Sequence, residues 1–188
     1  MDHLILAVDC TGYPSHWLTW QDAVTHDVLG KIAYGFGEHE FTCRGGHSRV
    51  TGRDSLITLK SILVLRGRSP AFWGRHSIPL TNSALFRRDQ YMCAYCGKVT
   101  PRGLTRDHII PLSRGGSDHW LNVCACCRIC NLAKGSQTLE ELGWELLYLP
   151  YAPNHQEGLI LENRRTLSDQ MELLQTLLPK HSRILQAA

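Results

Sequence analysis

The chain has 188 residues, 43% hydrophobic and 20% charged, a composition that supports one sizeable core or two small ones and excludes disorder and fibrous repeats. Its longest apolar runs, residues 4–8 and 62–65, fall far short of the roughly 18 residues a membrane span needs, and an N-terminus opening on Asp2 lacks the basic start of a signal peptide, so a soluble, cytoplasmic protein with no membrane partner is expected. The net charge of +3 hides a partition: residues 42–135 carry 15 Lys and Arg against four acids, a net +11, and the rest carries 5 against 13, a net −8, which points either to a polyanionic partner or to a solvated basic face.

In chain order, residues 3–8 predict a strand, closed by a turn at 12–14. Residues 20–29 predict a short helix, with Ala23, Val24, Val28 and Leu29 at helical spacing and Gly30 as its stop. Residues 31–36 and 56–65 read as β segments, the second rich in Ile, Leu and Val. This N-terminal α+β module, residues 1–78, has no chemical motif; its Arg44, Arg49, Arg53, Arg66 and Arg68 suit either a DNA-binding or a scaffolding role. Pro70 and Pro79 bracket a linker, and Asn82 is the expected N-cap of a short helix carrying Arg87 and Arg88. After a cysteine-rich block at 93–135, Thr138 and Glu141 form a capping-box pattern for a helix to about residue 147, and residues 151–158 read as a loop. Leu167, Met171, Leu174 and Leu178 then share one face of a last helix, which packs on the body of the protein or forms a homodimer seam. The expected fold class is α+β, with divisions at residues 1–78, 79–149 and 150–188.

Six of the eight cysteines, Cys93, Cys96, Cys124, Cys126, Cys127 and Cys130, lie within 38 positions. With no export signal the thiols are expected reduced, and Cys-x-x-Cys pairs then read as metal ligands. Cys93-Ala-Tyr-Cys96 and Cys127-Arg-Ile-Cys130 are two such knuckles, able to close four sulfurs around one zinc; a closed shell leaves no position for water, so this Zn²⁺ is structural. Cys126 competes with Cys127 for the fourth place, and the knuckle spacing favours Cys127. Cys124, Cys126, Cys10 and Cys43 are read as small buried residues, and His76 and His119 as ordinary surface or core histidines.

Thirty residues separate the knuckles, more than a plain zinc ribbon uses, and they contain Leu104-Thr-Arg-Asp-His-Ile-Ile-Pro-Leu-Ser-Arg-Gly-Gly116, then Trp120-Leu-Asn122. Asn131-Leu-Ala-Lys134-Gly135 follows the second knuckle, and the pattern of strand, turn, strand and helix predicts a ββα unit. Adjacent strand residues point to opposite faces, so either the chain bends at the end of the strand or only one of Asp107 and His108 meets a given ion. Trp120 reads as hairpin core.

From Cys93 to Gly135 the sequence resembles the HNH endonuclease family, of the kind with two zinc knuckles around a ββα-metal motif, and the flanks resemble those of bacterial stand-alone HNH proteins. The resemblance implies His108 as general base and Asn122 as the residue that orients the loop carrying it. Asn131 takes the third signature position, where the name-giving members have histidine. An Asp107 and Asn131 site offers only oxygen, which suits Mg²⁺ or Mn²⁺. The implied activity is hydrolysis of DNA, double-stranded by expectation, to 5′-phosphate and 3′-hydroxyl ends. Phosphodiester hydrolysis needs a base for water, positive charge on the leaving oxygen and a grip on the phosphate. An imidazole titrates near neutrality and serves the first need, the divalent ion serves the second, and Arg87, Arg88, Arg106, Arg114, Arg128 and Lys134 are the candidate nucleic-acid contacts. The alternatives are a non-catalytic zinc-dependent nucleic-acid-binding module and a ribonuclease.

Overall fold

In the computed structural model, which describes residues 3–68, 78–163, 165–180 and 182–185, the first apolar run becomes strand β1 (Ile5–Val8), with all four side chains buried. A strand buried on both faces belongs inside a sheet, and β1 sits between β2 (Pro14–Leu18), antiparallel to it, and β4 (Asp54–Leu65), parallel to it. The order β2-β1-β4-β3 is completed by β3 (Ile32–His47), which forms a long antiparallel hairpin with β4. Helix α1 (Trp20–Val28) starts at a reciprocal Thr19–Asp22 capping box, and Ala23 packs with Ile5, Ala7, Leu18, Cys43, Leu59 and Leu63.

Two units form, Met1–His76 with Glu162–Leu177, and Ser77–Leu161 with Leu178–Ala188. The fold class is α+β, as expected. The expected C-terminal segment is thus divided: helix α6 (Ser168–Gln175) completes the first unit, where buried Gln170 donates to Leu4 O at 2.9 Å and Ser61 O at 2.8 Å, and Leu174 is wholly buried. Asp169 accepts from Ser61 Oγ at 2.5 Å and from the Glu38 amide at 2.8 Å.

In the second unit, β5 (Leu104–His108) and β6 (Val123–Cys127) pair antiparallel, with Asp107 opposite Cys124 and His108 opposite Val123. Helices α2 (Asn82–Arg88) and α3 (Arg128–Lys134) both pack against this hairpin. Helix α4 (Leu139–Leu142) and helix α5 (His155–Glu162) follow.

Several local expectations change. Thr81 caps α2, its Oγ1 accepting from the Ala84 amide at 3.1 Å, and Asn82 is the first helical residue. The Thr138–Glu141 capping box forms, but α4 stops after four residues because Gly143 turns left-handed at φ 63°. Residues 155–158 are helix, started by reciprocal 2.8 Å bonds between Asn154 and Glu157. The turn expected at 12–14 leads at once into a strand, β2. Pro70, Arg75 and His76 lie outside the described residues. Among the described residues no helix is long and apolar enough to cross a membrane.

Candidate metal centre and catalytic hairpin

The first knuckle is a tight hairpin closed by the Met92–Val99 bridge and by the Cys93 amide on Lys98 O at 3.0 Å. In the second, Cys127 ends β6 as the N-cap of α3 and Cys130 follows in the first turn. The four Sγ atoms of Cys93, Cys96, Cys127 and Cys130 lie within 4.8 Å of one another, and those of Cys96 and Cys127 are 3.9 Å apart. A tetrahedral zinc with bonds of about 2.3 Å asks for edges of about 3.8 Å, so the cluster fits a structural Zn²⁺. Cys126 is buried but points away, its Sγ 3.3 Å from Cys127 O, and the choice of Cys127 over Cys126 is the one the fold makes. Burial works to raise the Cys93 thiol, yet backbone amides of Cys127, Cys96 and Tyr95 outweigh it and bring it to about 7. Burial, then hydrogen bonds with Cys127 and Cys96, push Cys130 up, since crowded thiols resist ionising without a cation between them.

Strand alternation divides β5 into two faces. Thr105 and Asp107 face α3: Asn131 Nδ2 donates to Thr105 Oγ1 at 2.7 Å, and Lys134 Nζ sits 3.2 Å from Asp107 Oδ2. Tyr95 Oη also donates to Asp107 Oδ2. Arg106 and His108 occupy the other face, where both reach Asp118: His108 Nε2 lies 2.9 Å from Oδ1 and Arg106 Nη1 2.8 Å from Oδ2. The hydrogen bonds from His108 and then Arg106 hold the Asp118 carboxyl below its ordinary range. Among the described residues, His108 Nδ1 has no hydrogen-bond partner. Asp107 and His108 therefore lie on opposite faces, as the alternation of a regular strand requires.

Asn122 fastens the loop that follows His108. Its Oδ1 accepts from the Ile110 amide at 2.9 Å, and its Nδ2 donates to Ile110 O at 3.0 Å and Ser117 O at 2.9 Å. The loop closes this tightly because Gly116 has no side chain: a Cβ there would stand 1.9 Å from Ile110 O.

The basic residues separate sharply. Arg88, expected on a nucleic-acid face, is completely buried: it pairs with Asp89 at 2.7 Å, donates to Trp120 O, Tyr151 O and Val123 O, and stacks on Trp120 and Tyr151. Lys134, expected on the same face, is buried too, between Asp107 and His108 O, the latter at 2.8 Å. Both are corrected to internal structural cations, because a buried charge is retained only where acceptors surround it. Arg87 is half-buried and donates to Leu161 O. Arg106 is held by Asp118, Asn82 and Leu80 O, and Arg114 by Glu141 and Ser136 O. Arg128 is exposed, with no ion pair among the described residues. Trp120 is core, its indole donating to Ile78 O at 2.9 Å.

Asp118 and Tyr95 were not singled out in the sequence. Tyr95 is visible there only as a residue inside a knuckle, and Asp118 as one acid in a turn.

Residues 93–147 match the family model described as HNH endonuclease. The chain matches no curated protein and no solved structure. The match covers under a third of the chain, and the four-cysteine cluster lies inside it.

Proposed function

We propose that this protein is a metal-dependent endonuclease that hydrolyses DNA phosphodiester bonds, with His108 as general base. The observation that carries the reading is the state of that imidazole: Nε2 is tied to Asp118 at 2.9 Å, while Nδ1 has no partner among the described residues. With the proton on Nε2, the lone pair at Nδ1 is available to take a proton from water. Asn122 holds the following loop by three hydrogen bonds and so fixes the backbone from which His108 projects.

Asp107 and Asn131 are the proposed ligands of Mg²⁺ or Mn²⁺. The donor set fits: both offer oxygen, and Thr105 brings Asn131 to the face of β5 that carries Asp107. Lys134 Nζ has a second acceptor in His108 O, so it stays anchored when Asp107 takes another cation. When bound, the ion supplies positive charge to the scissile phosphate and the leaving 3′ oxygen, which gives 5′-phosphate and 3′-hydroxyl products. Double-stranded DNA is the proposed substrate, with Arg128 as a phosphate contact.

One observation favours a second reading, a non-catalytic nucleic-acid-binding zinc module: Lys134 already lies 3.2 and 3.4 Å from the two oxygens of Asp107. The two readings separate on supercoiled plasmid incubated with EDTA, Mg²⁺ or Mn²⁺, with His108→Ala alongside. Cleavage by the wild type alone, and only with added ion, supports the nuclease. Binding without cleavage under every condition sinks it.

A further inference from the structure

We propose that the distal half of the β3–β4 hairpin is a duplex-DNA reader, a two-stranded ribbon that enters the major groove with Arg49 and Arg53 at its tip. This rests on the reading of the protein as one that acts on nucleic acid. The sheet supports only the base of the hairpin, since β1 pairs with Ile62, Leu63 and Val64 of β4 and, among the described residues, no third strand pairs farther out. From the Glu40–Lys60 pair to the His47–Asp54 pair the two strands run as a ribbon. At a rise of about 3.3 Å per residue this part is about 23 Å long.

Cys43 and Leu59 are the last buried side chains along the ribbon. Beyond them Arg44 to His47, Arg49 to Arg53, Ser55 and Leu56 are exposed, so both faces are open to solvent. An isolated two-stranded hairpin is marginal in water and presents an unprotected edge; one face of the ribbon packs on the core as far as Cys43 and Ile57, and the end beyond them, bare on both faces, is explained by a partner that covers both.

The charges name that partner. At the base, Lys60 and Glu40 neutralise each other at 2.7 Å. Farther out there are three arginines and a single acid, Asp54, whose two oxygens are taken by Arg44 and by His47 Nδ1. Arg49 and Arg53 have no ion pair among the described residues, which leaves two uncompensated guanidiniums at the tip. Their planar forks match phosphate oxygens and the O6 and N7 of guanine.

Shape narrows the choice further. A B-DNA major groove about 12 Å wide admits a two-stranded ribbon, whereas the deep, narrow major groove of A-form RNA does not. An anionic membrane would ask for an apolar tip, and only Val50 is apolar among residues 44–55.

The test uses the full chain in a His108→Ala background, with zinc retained and no added divalent ion, so that binding is read apart from cleavage. Anisotropy of a labelled 30-base-pair DNA is measured across a salt series, with dimethyl sulfate footprinting of guanine N7. For R49A/R53A we expect at least a 10-fold loss of affinity, a salt slope shallower by up to about 1.8 as two cations are withdrawn from the DNA, and loss of N7 protection that the parent shows. R49K/R53K recovers the slope and not the N7 protection, which separates lost charge from a misfolded hairpin. Unchanged affinity and slope in R49A/R53A overturn the proposal while leaving the nuclease reading intact. Equal binding to double-stranded RNA, or preference for phosphatidylserine vesicles, also overturns it. A wild type that cuts nothing but binds DNA through Arg49 and Arg53 removes the nuclease reading and leaves the ribbon.

Discussion

Tyr95 stands between Cys93 and Cys96 in the first knuckle, and its hydroxyl donates to Oδ2 of Asp107 at 2.5 Å. From the other knuckle, α3 sends Lys134 to the same carboxylate. Each half of the cysteine cluster thus delivers one side chain to Asp107, so the centre that staples the fold also sets the position of the proposed catalytic carboxylate.

Tyr95→Phe removes that donor and leaves both cysteines in place. A hydrogen bond to a charged group is worth about 1.5–3 kcal/mol, so plasmid cleavage should fall by about 10- to 100-fold with zinc content unchanged. Loss of zinc in the same variant would assign the tyrosine to the knuckle instead.

Zinc content distinguishes neighbouring cysteines. Cys127→Ser should lose the metal and the cooperative unfolding of the second unit, since this fold closes around the ion. Cys126→Ser should retain one zinc per chain by elemental analysis. Equal loss in both would contradict the cluster geometry.

Asn122→Ala leaves the Ile110 amide and carbonyl without their partners inside a closed loop. The cost should be about 1–3 kcal/mol in denaturant unfolding, with activity reduced more than stability accounts for. A fully active variant would separate the loop from the reaction.

Asp118 positions His108, and its effect should appear in the imidazole itself. Nitrogen NMR should show the proton on Nε2 in the wild type and in Asp118→Asn, whose amide oxygen still accepts, but a mixture of tautomers in Asp118→Ala. In Asp118→Ala kcat should drop with KM nearly unchanged. An unaltered tautomer would reduce Asp118 to a surface partner of Arg106.

Acid should release α6. Burial opposes ionisation of Asp169, but hydrogen bonds from Ser61 and from the amides of His39 and Gln170 prevail and hold its carboxyl below the ordinary 3.8. A depressed folded value means that the stabilisation is complete well above 3.8 and is lost as pH falls through the folded value. Hydrogen exchange across residues 168–175 should accelerate on acidification, and Asp169→Asn should flatten that dependence. Identical pH profiles would place the acid sensitivity elsewhere.

Local chemistry was legible in the sequence and long-range chemistry was not. Knuckle spacing was enough to choose Cys127 over Cys126, whereas strand alternation left either a bend or a split between Asp107 and His108, and the regular pairing of β5 makes the split. Helix α1 could be read because Gly30 ends it. Strand β3 runs eleven residues past its expected end because Gly35, Gly37, Gly45 and Gly46 disguise a strand whose partner is β4. Arg88 and Lys134 looked like surface cations, since their acceptors, Val123 O and Tyr151 O for one and Asp107 for the other, lie 27 to 63 residues away. Asp118 gained its meaning only when the β5–β6 connection folded back beside His108.

The return of α6 to the first unit has a consequence for synthesis. Residues 77–161 leave the ribosome before residues 168–175 do, so the zinc core has all the chain it needs, apart from its last segment, while the first sheet still lacks the helix that carries Gln170 and Leu174. A chain stopped after residue 161 would hold every proposed catalytic residue, yet leave the Leu4 and Ser61 carbonyls without the glutamine that serves them.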